Sequence, residues 1–177
     1  MKLRKLNAAL SLVTTVLLLA HAISVAIWMF SRGKIIPIGG HALPQVLIKV
    51  TIAHALVSIL LMILAHKDNK KKKGKVYPKL NKPTMVQRIS GVLMILFTPL
   101  HVLGAFNIIQ TPPVVHAIFP PLFFLLVLAH IAVSASKAFI TLGIGNAKFV
   151  KCADVVIKLI CAVTLAADII GFYLYVC

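Results

Sequence analysis

The chain has 177 residues, of which 60% are hydrophobic, and its mean hydropathy is +1.02. Its 19 lysines and arginines face only three acids, so the formal net charge is +16. This composition excludes a soluble globular domain and indicates a polytopic membrane protein. The three cysteines, Cys152, Cys161 and Cys177, form no CxxC pair. That spacing excludes a thiolate zinc site or an iron–sulfur cluster held by this chain alone.

Five apolar stretches are long enough to cross a bilayer, which needs about 20 residues. They predict an all-α membrane protein with a single transmembrane domain over residues 1–177. The N-terminal run could be a signal peptide with a cleavage site near Ala20-His21-Ala22, but it continues to Phe30 and is longer than a signal core, so we predict a helix. In chain order, the predicted helices are Leu6–Phe30, Leu43–His66, Thr84–Ile109, Val114–Ser136 and Val150–Val176.

Basic residues concentrate before the first predicted helix, before the fifth, and in the lysine-rich loop 67–82. The positive-inside rule makes these regions cytoplasmic, with the N-terminus inside and Cys177 outside. We therefore expect a multi-pass protein of the cell's inner (plasma) membrane. Two interpretations of loop 67–82 stay open: a solvated segment facing lipid headgroups, or a docking surface for an acidic cytoplasmic partner. Nucleic acid is not an expected partner, because the basic residues are not interleaved with aromatic ones.

Each of the first four predicted helices carries a histidine, and these are His21, His54, His101 and His130. An imidazole in hydrocarbon is costly unless it is paired or bound to a metal. Counted from the cytoplasmic ends, the first- and third-helix histidines lie roughly 25 Å deep, and the other two lie at roughly 18–20 Å. Two depth-matched pairs are the arrangement that bis-imidazole ligation of two stacked haems requires. The first four helices are therefore predicted to form an up-down bundle around two haems.

The residues beside these histidines leave room for a flat ring. A small residue lies within about one helical turn of each histidine, which would make space for a porphyrin. The chain has no CxxCH motif, so the predicted haems are b-type and held non-covalently. The small neighbours are Ser24, Ser58, Gly104, Ala105 and Ser134.

Three charged residues within the predicted helices are candidates for a functional role. Arg88 is about one turn into the third helix, where it either reaches lipid headgroups or pairs with a haem propionate. The same two alternatives apply to Lys49, near the outer end of the second helix. Asp168 is the only acid well inside a helix, and it is a candidate for proton handling near an outer quinone or haem. The alternative is a carboxyl hydrogen-bonded to Lys49 or to a hydroxyl group.

Three further histidines lie near the predicted membrane surfaces. His66 adjoins the lysine-rich loop and is expected to be interfacial. His41 and His116 lie on the outer side, where they face either a quinone headgroup or water. His116 is therefore retained as a possible quinone or proton residue, together with Lys49 and Asp168.

One stretch of the third predicted helix resembles a known family. Gln87-Arg88-Ile89-Ser90-Gly91, followed by Phe97 and His101, resembles the motif in the two-haem cytochrome b anchors of succinate:quinone oxidoreductases and fumarate reductases. The first, second and fourth helices follow that family's order. Their matching stretches are Arg4-Lys5-Leu6 with His21, His54-Ala55, and His130-Ile131 with Leu142-Gly143-Ile144.

The resemblance implies the cofactors, the ligand pairing and the partners. His21 and His101 would ligate an outer haem, and His54 and His130 an inner one. Quinone would be the exchangeable substrate, and the partners would be cytoplasmic iron–sulfur and flavoprotein subunits. The chain departs from the family in having trimmed loops, no acid in the second helix, and Pro99 two residues before His101, which predicts a local bend.

Two other function classes remain as alternatives. A stand-alone transmembrane cytochrome could pass electrons to an outer acceptor without a flavoprotein. A transporter using histidines for proton transfer is disfavoured, because the sequence shows no inverted repeats and no matching broken helices. Gly143-Ile144-Gly145 is a lone GxG between helices and does not indicate nucleotide binding.

Overall fold

The computed structural model describes residues 2–40, 42–71, 82–105, 108 and 112–176; for residues 68–71, 105, 113 and 116 it describes the backbone alone. The described residues form five α-helices, which confirms the all-α prediction. Each is long and apolar enough to cross a membrane, as expected of a multi-pass membrane protein. The helices are α1 (Lys2–Phe30), α2 (Ala42–Lys71), α3 (Lys82–Ala105), α4 (Pro113–Leu142) and α5 (Ala147–Val176).

The boundary between α4 and α5 is set by glycine and asparagine. Gly143 adopts a left-handed conformation with φ 74°, and the Ile144 N–H donates to the Phe139 carbonyl, which closes the end of α4. Asn146 then caps α5, because its Oδ1 accepts the Phe149 N–H at 2.9 Å. A turn of only four residues, 143–146, therefore makes α4 and α5 an antiparallel pair.

Proline does not divide the helices that contain it. α3 is continuous through Pro99, and α4 is continuous through Pro120 and Pro121. The missing N–H and the ring clash of proline are tolerated in membrane helices, where neighbouring groups satisfy the freed carbonyls.

The packed core lies around α4. α4 contacts α1, α3 and α5, and α1 also contacts α2 and α5, so α1, α4 and α5 pack against one another. Side chains of α1 and α3 cover the central cluster, including Leu18, Leu19, Met94 and Phe97. The buried cluster itself consists of Phe123, Val127, Leu128, Ile131, Ala135 and Cys161.

Helices α2 and α3 lie at the margins of this core. Among the described residues, α2 packs extensively only against α1, and α3 only against α4. Only 6% of the apolar window of each is buried, compared with 22–28% for the other three helices. The direct contact between α2 and α3 that would close a ring of four helices is thus not extensive.

The helix ends lie on two opposite sides of the protein, the basic end and the far end. The basic end is where α1 begins at Lys2, α2 ends at Lys71 and α3 begins at Lys82. The far end is the opposite one, where α1 ends at Phe30 and α5 at Val176. Helix α2 continues past His66 into the lysine-rich segment as far as Lys71, while residues 72–81 of that segment lie outside the described residues.

Candidate functional site

The four helix histidines lie at two levels and are half-buried. His21 and His101 each follow the first residue of their helix by 19 positions, about 28 Å along the axis. The structure brings their side chains close enough for an electrostatic interaction, and it does the same for His54 and His130. We call the first two the far-end pair and the last two the basic-end pair.

In the basic-end pair, two acceptors on α3, the Ser90 hydroxyl oxygen and the backbone carbonyl of Gln87, lie beside the His130 ring and favour one tautomer. The Ser90 hydroxyl donates to the Val86 carbonyl at 2.7 Å, and its oxygen lies 2.9 Å from Nδ1 of His130. Because the hydroxyl proton is engaged with the carbonyl, the oxygen is an acceptor for an Nδ1–H. Nε2 then carries the lone pair, the state in which a neutral imidazole binds a metal.

Space beside this ring depends on a glycine. A Cβ placed on Gly91 would lie 3.3 Å from Cε1 of His130, tighter than ordinary van der Waals contact. The partner histidine, His54, has a buried Nδ1 with no hydrogen-bond partner in the described part of the chain, and the backbone of Asn7 lies near its ring. An orphaned buried nitrogen is costly, so His54 can accommodate a ligand or a metal.

A cation lies on the basic-end side of this pair. Nζ of Lys137 donates to Oε1 of Gln87 at 2.7 Å and lies 3.4 Å from Oγ1 of Thr84, which ties α4 to α3. Lys137 is half-buried and interacts electrostatically with His130. Its described partners are neutral, so its positive charge is available to an anionic group.

Aromatic rings surround the far-end pair. The His101 ring stacks on Phe123 with centroids 4.7 Å apart and planes 22° apart. Phe123 in turn stacks on Phe119, and Phe97 meets Phe119 edge to face. These contacts restrict rotation of the His101 ring and keep its surroundings apolar.

The connection after α1 folds back over His21. Oγ of Ser24 accepts the backbone N–H of Ile38 at 2.6 Å, which holds this connection against the helix. A cavity of about 210 Å³ lies beneath it, lined by His21 and Ser24 together with Leu43 and Pro44 of α2. Ser24, predicted as a small neighbour of His21, is thus engaged in holding the connection.

The structure places the predicted charged residues Arg88 and Lys49 on exposed faces of their helices. Gln87, the neighbour of Arg88, faces α4 instead, because successive helical residues point about 100° apart. Of the two alternatives for Arg88, its exposure favours contact with lipid headgroups.

Asp168 is completely buried, and neither carboxyl oxygen has a hydrogen-bond partner among the described residues. The alternative in which this carboxyl bonds to Lys49 or to a hydroxyl is therefore not found among them. Asp168 lies 21 residues into α5, about 31 Å along the axis and level with the far-end pair. The predicted quinone candidate His116 lies on α4, and its side chain is outside the described residues. The whole of His41 is also outside them.

Sequence reasoning missed the polar groups that surround the basic-end pair. Lys137 follows His130 by seven residues, or two helical turns, so the two lie on the same face of α4; that spacing was the available signal. Ser90 and Gly91 were visible only as part of a family-like motif. No sequence signal links Asn7 of α1 to His54 of α2, since their proximity depends on how the two helices pack.

The donor set fits two iron centres with paired imidazole ligands. In the part of the chain that is described, no three His, Cys, Asp or Glu side chains come together as a metal site. Axial haem ligation needs only two protein ligands, because the porphyrin supplies the other four. At one level the two protein ligands would be His130, with its tautomer fixed, and His54, with its unpaired buried nitrogen. His21 and His101 offer a second imidazole pair.

Comparisons with protein-family models, with curated proteins and with solved structures find no match to this chain.

Proposed function

We propose that this protein is a two-haem b-type cytochrome of a quinone-linked membrane oxidoreductase. It would anchor a cytoplasmic iron–sulfur and flavoprotein unit, of the succinate dehydrogenase or fumarate reductase type, and pass electrons between that unit and membrane quinone. The observation that supports the proposal is that His21 lies close enough to His101, and His54 to His130, for electrostatic interaction at two depths. This is the pairing that the family resemblance implies.

Helix packing supports a place for two cofactors. α2 and α3 flank the packed α1–α4 pair without extensive contact with each other, and each carries a histidine that interacts electrostatically with a histidine of that pair. Flat porphyrins between α1, α2, α3 and α4 would complete the four-helix bundle and bury apolar surface on the two least buried spans. Haem b supplies reversible one-electron transfer when it is bound.

At the basic-end level, the chain would hold the inner haem and tune it. Ser90 would keep the proton on Nδ1 of His130, so that Nε2 would be free to hold the iron. Lys137, half-buried between α3 and α4, would pair with a propionate, whereas Arg88 is exposed. A positive charge there favours the reduced state, because an electron has then been added beside it.

At the far-end level, the chain would supply an apolar binding site for the outer haem. Phe123 fixes the plane of the His101 ring by stacking, and Phe97 and Phe119 exclude water from it. The quinone would exchange electrons at this level, near the candidates Asp168, His116 and Lys49. Asp168 is the buried acid available there to hold a proton.

The direction of the chain in the membrane follows from its charges. Lysines at the ends of α1, α2 and α3 place the basic end in the cytoplasm, with Cys177 outside. Docking of an acidic iron–sulfur subunit on this face would bring the basic-end haem closest to the partner. Electrons would then pass between partner, inner haem, outer haem and quinone.

A pyridine haemochrome assay on the purified full chain tests the core of the proposal. We expect two b haems per chain, both low-spin by absorption and electron paramagnetic resonance spectroscopy because each iron has two imidazole ligands. A chain reconstituted with haemin that retains none contradicts the proposal.

Co-purification then identifies the complex. A tagged chain isolated from its native membrane in mild detergent is expected to bring iron–sulfur and flavin subunits with it. Two haems without such subunits would instead indicate the stand-alone transmembrane cytochrome.

A further inference from the structure

A second cavity lies at the basic end, away from the histidine pairs. It occupies about 600 Å³ beside the turn that joins α4 to α5. This volume is within the range of about 300–1,000 Å³ that small-molecule sites occupy. Its walls are Ser136, Phe139 and Ile140 of α4, residues 143–146 of the turn, and Ala147, Val150, Lys151 and Asp154 of α5.

The aromatic residues at the other end of α5 fix the depth of this cavity. Trp28 and Tyr175 are in contact, with ring centroids 4.7 Å apart, and such rings mark a membrane interface. A hydrocarbon core of about 30 Å corresponds to about 20 helical residues. Counting back from Tyr175 by that length reaches Val155, so residues 143–154 lie in the headgroup layer at the basic end.

The charges at the cavity favour an anionic headgroup. The carboxylate of Asp154 is paired with Nζ of Lys158 at 2.5 Å and also accepts a hydrogen bond from Ser136. Lys151 is exposed at the cavity, and among the described residues it takes part in no ion pair. The first turn of α5 adds the positive end of its helix dipole on the same side.

The remaining walls suit the apolar part of a lipid. Phe139, Ile140 and Val150 line the cavity from its two helices, and Ile140 is 65% exposed in the absence of an occupant. A headgroup phosphate near Lys151 would place the first acyl carbons against these side chains. Basic pockets between membrane helices bind lipid headgroups in this way.

We propose that this cavity is a binding site for an anionic phospholipid of the leaflet at the basic end, with Lys151 as the phosphate contact. The site shares no residue with the histidine pairs, so it stands or fails independently of haem binding.

Native mass spectrometry of the full chain in detergent tests this site, with phosphatidylglycerol as the probe and phosphatidylcholine as the zwitterionic comparison. We expect phosphatidylglycerol adducts to survive at activation energies that remove phosphatidylcholine. Lys151→Gln should weaken phosphatidylglycerol retention about fivefold, the effect of one lysine at a membrane surface. The matched control is Lys5→Gln, an exposed lysine of α1 at the same end and outside the cavity, which should retain the lipid as the unmodified chain does.

Two results would overturn the proposal. One is equal retention of the two lipids by the unmodified chain. The other is an equal loss of phosphatidylglycerol in Lys5→Gln and Lys151→Gln, which would mean that bulk charge alone attracts the lipid. The haem content of both variants should equal that of the unmodified chain, so failure of this site is distinguishable from failure of the proposed cytochrome function.

Discussion

The basic-end pair and the far-end pair have the same chemistry at their centres and opposite surroundings. Around His130 lie a serine acceptor and a half-buried lysine, Lys137. Around His101 lie phenylalanine rings, and the charged residue buried at this depth is the acid Asp168. One level therefore offers hydrogen bonds and a cation, and the other offers apolar packing and a carboxyl group.

This difference shows how one set of helices can tune two identical cofactors differently. A cation near a haem stabilises its reduced form, whereas a neutral carboxyl has little effect on it. We therefore expect the basic-end haem to have the higher reduction potential of the two.

Double alanine variants should have the largest effect, because they test whether two histidines ligate the same haem or different haems. His21→Ala with His101→Ala removes both ligands of one proposed haem, so one haem per chain should remain. His21→Ala with His54→Ala removes one ligand of each haem, and both should be lost or become high-spin. Haemochrome content and electron paramagnetic resonance spectra distinguish these outcomes. One low-spin haem remaining in the second variant would contradict the pairing.

Replacing Ser90 should weaken the basic-end level alone. Ser90→Ala removes one of the two acceptors beside the His130 ring, and loss of such a partner costs about tenfold in metal affinity. Haem titration of the apoprotein should show one weakened site and one unchanged site.

Ser134→Ala is the matched control for this change. Its hydroxyl donates to the backbone carbonyl of His130 at 2.6 Å and not to the ring. A weakening as large as that of Ser90→Ala would show that the effect is general helix perturbation rather than tautomer control.

Replacing Lys137 should shift a potential without removing a haem. A unit charge about 10 Å away at an effective dielectric constant of about 20 contributes about 1.7 kcal/mol. Lys137→Met should therefore lower the midpoint potential of the basic-end haem by about 70 mV, while Lys137→Arg should keep it. Potentiometric titration followed by optical spectra measures both haems in one experiment.

The exposed neighbour of Gln87 provides the control. Arg88→Gln removes the same charge from the lipid-facing side of α3, and we expect no measurable shift in either potential. A shift of the basic-end haem in Arg88→Gln with none in Lys137→Met would reverse the assignment of the propionate contact.

Asp168→Asn should have the smallest effect. Neither carboxyl oxygen of Asp168 has a hydrogen-bond donor, and ionising such a group in the membrane costs several kcal/mol, so we expect it to be neutral. The amide should leave the far-end potential unchanged at neutral pH. A rise of about 60 mV in redox titration would show that the side chain had been ionised.

Much of the helical layout could be predicted from composition, because the length of an apolar run must match the bilayer. Five helices are found, and all of them extend further at the basic end than predicted: α1 from Lys2, α2 to Lys71, α3 from Lys82, α4 to Leu142 and α5 from Ala147. α3 ends at Ala105, four residues before its predicted end at Ile109. The lysines after His66 favour helix and are compatible with the headgroup layer, so α2 does not stop at the end of its apolar run.

The contacts of the site could not be predicted in the same way. A membrane helix is apolar on all sides, so hydrophobic periodicity does not show which face is buried. Gln87 and Arg88 are adjacent in the chain, yet Gln87 meets Lys137 across the helix interface and Arg88 is exposed. The rotation of α3, which the sequence does not specify, therefore favours Lys137 over Arg88 as the proposed propionate contact.

The sequence by itself determined the membrane-spanning class and the depth of each histidine, because depth depends only on the helical rise and the position in the chain. Tertiary structure decided which histidines lie near each other and which serine lies beside the His130 ring. It also decided that α2 and α3 each pack extensively on a single neighbour. These features depend on the rotation and contacts of helices that are far apart in the chain. They arise from side-chain packing between helices, which the pattern within one helix does not specify.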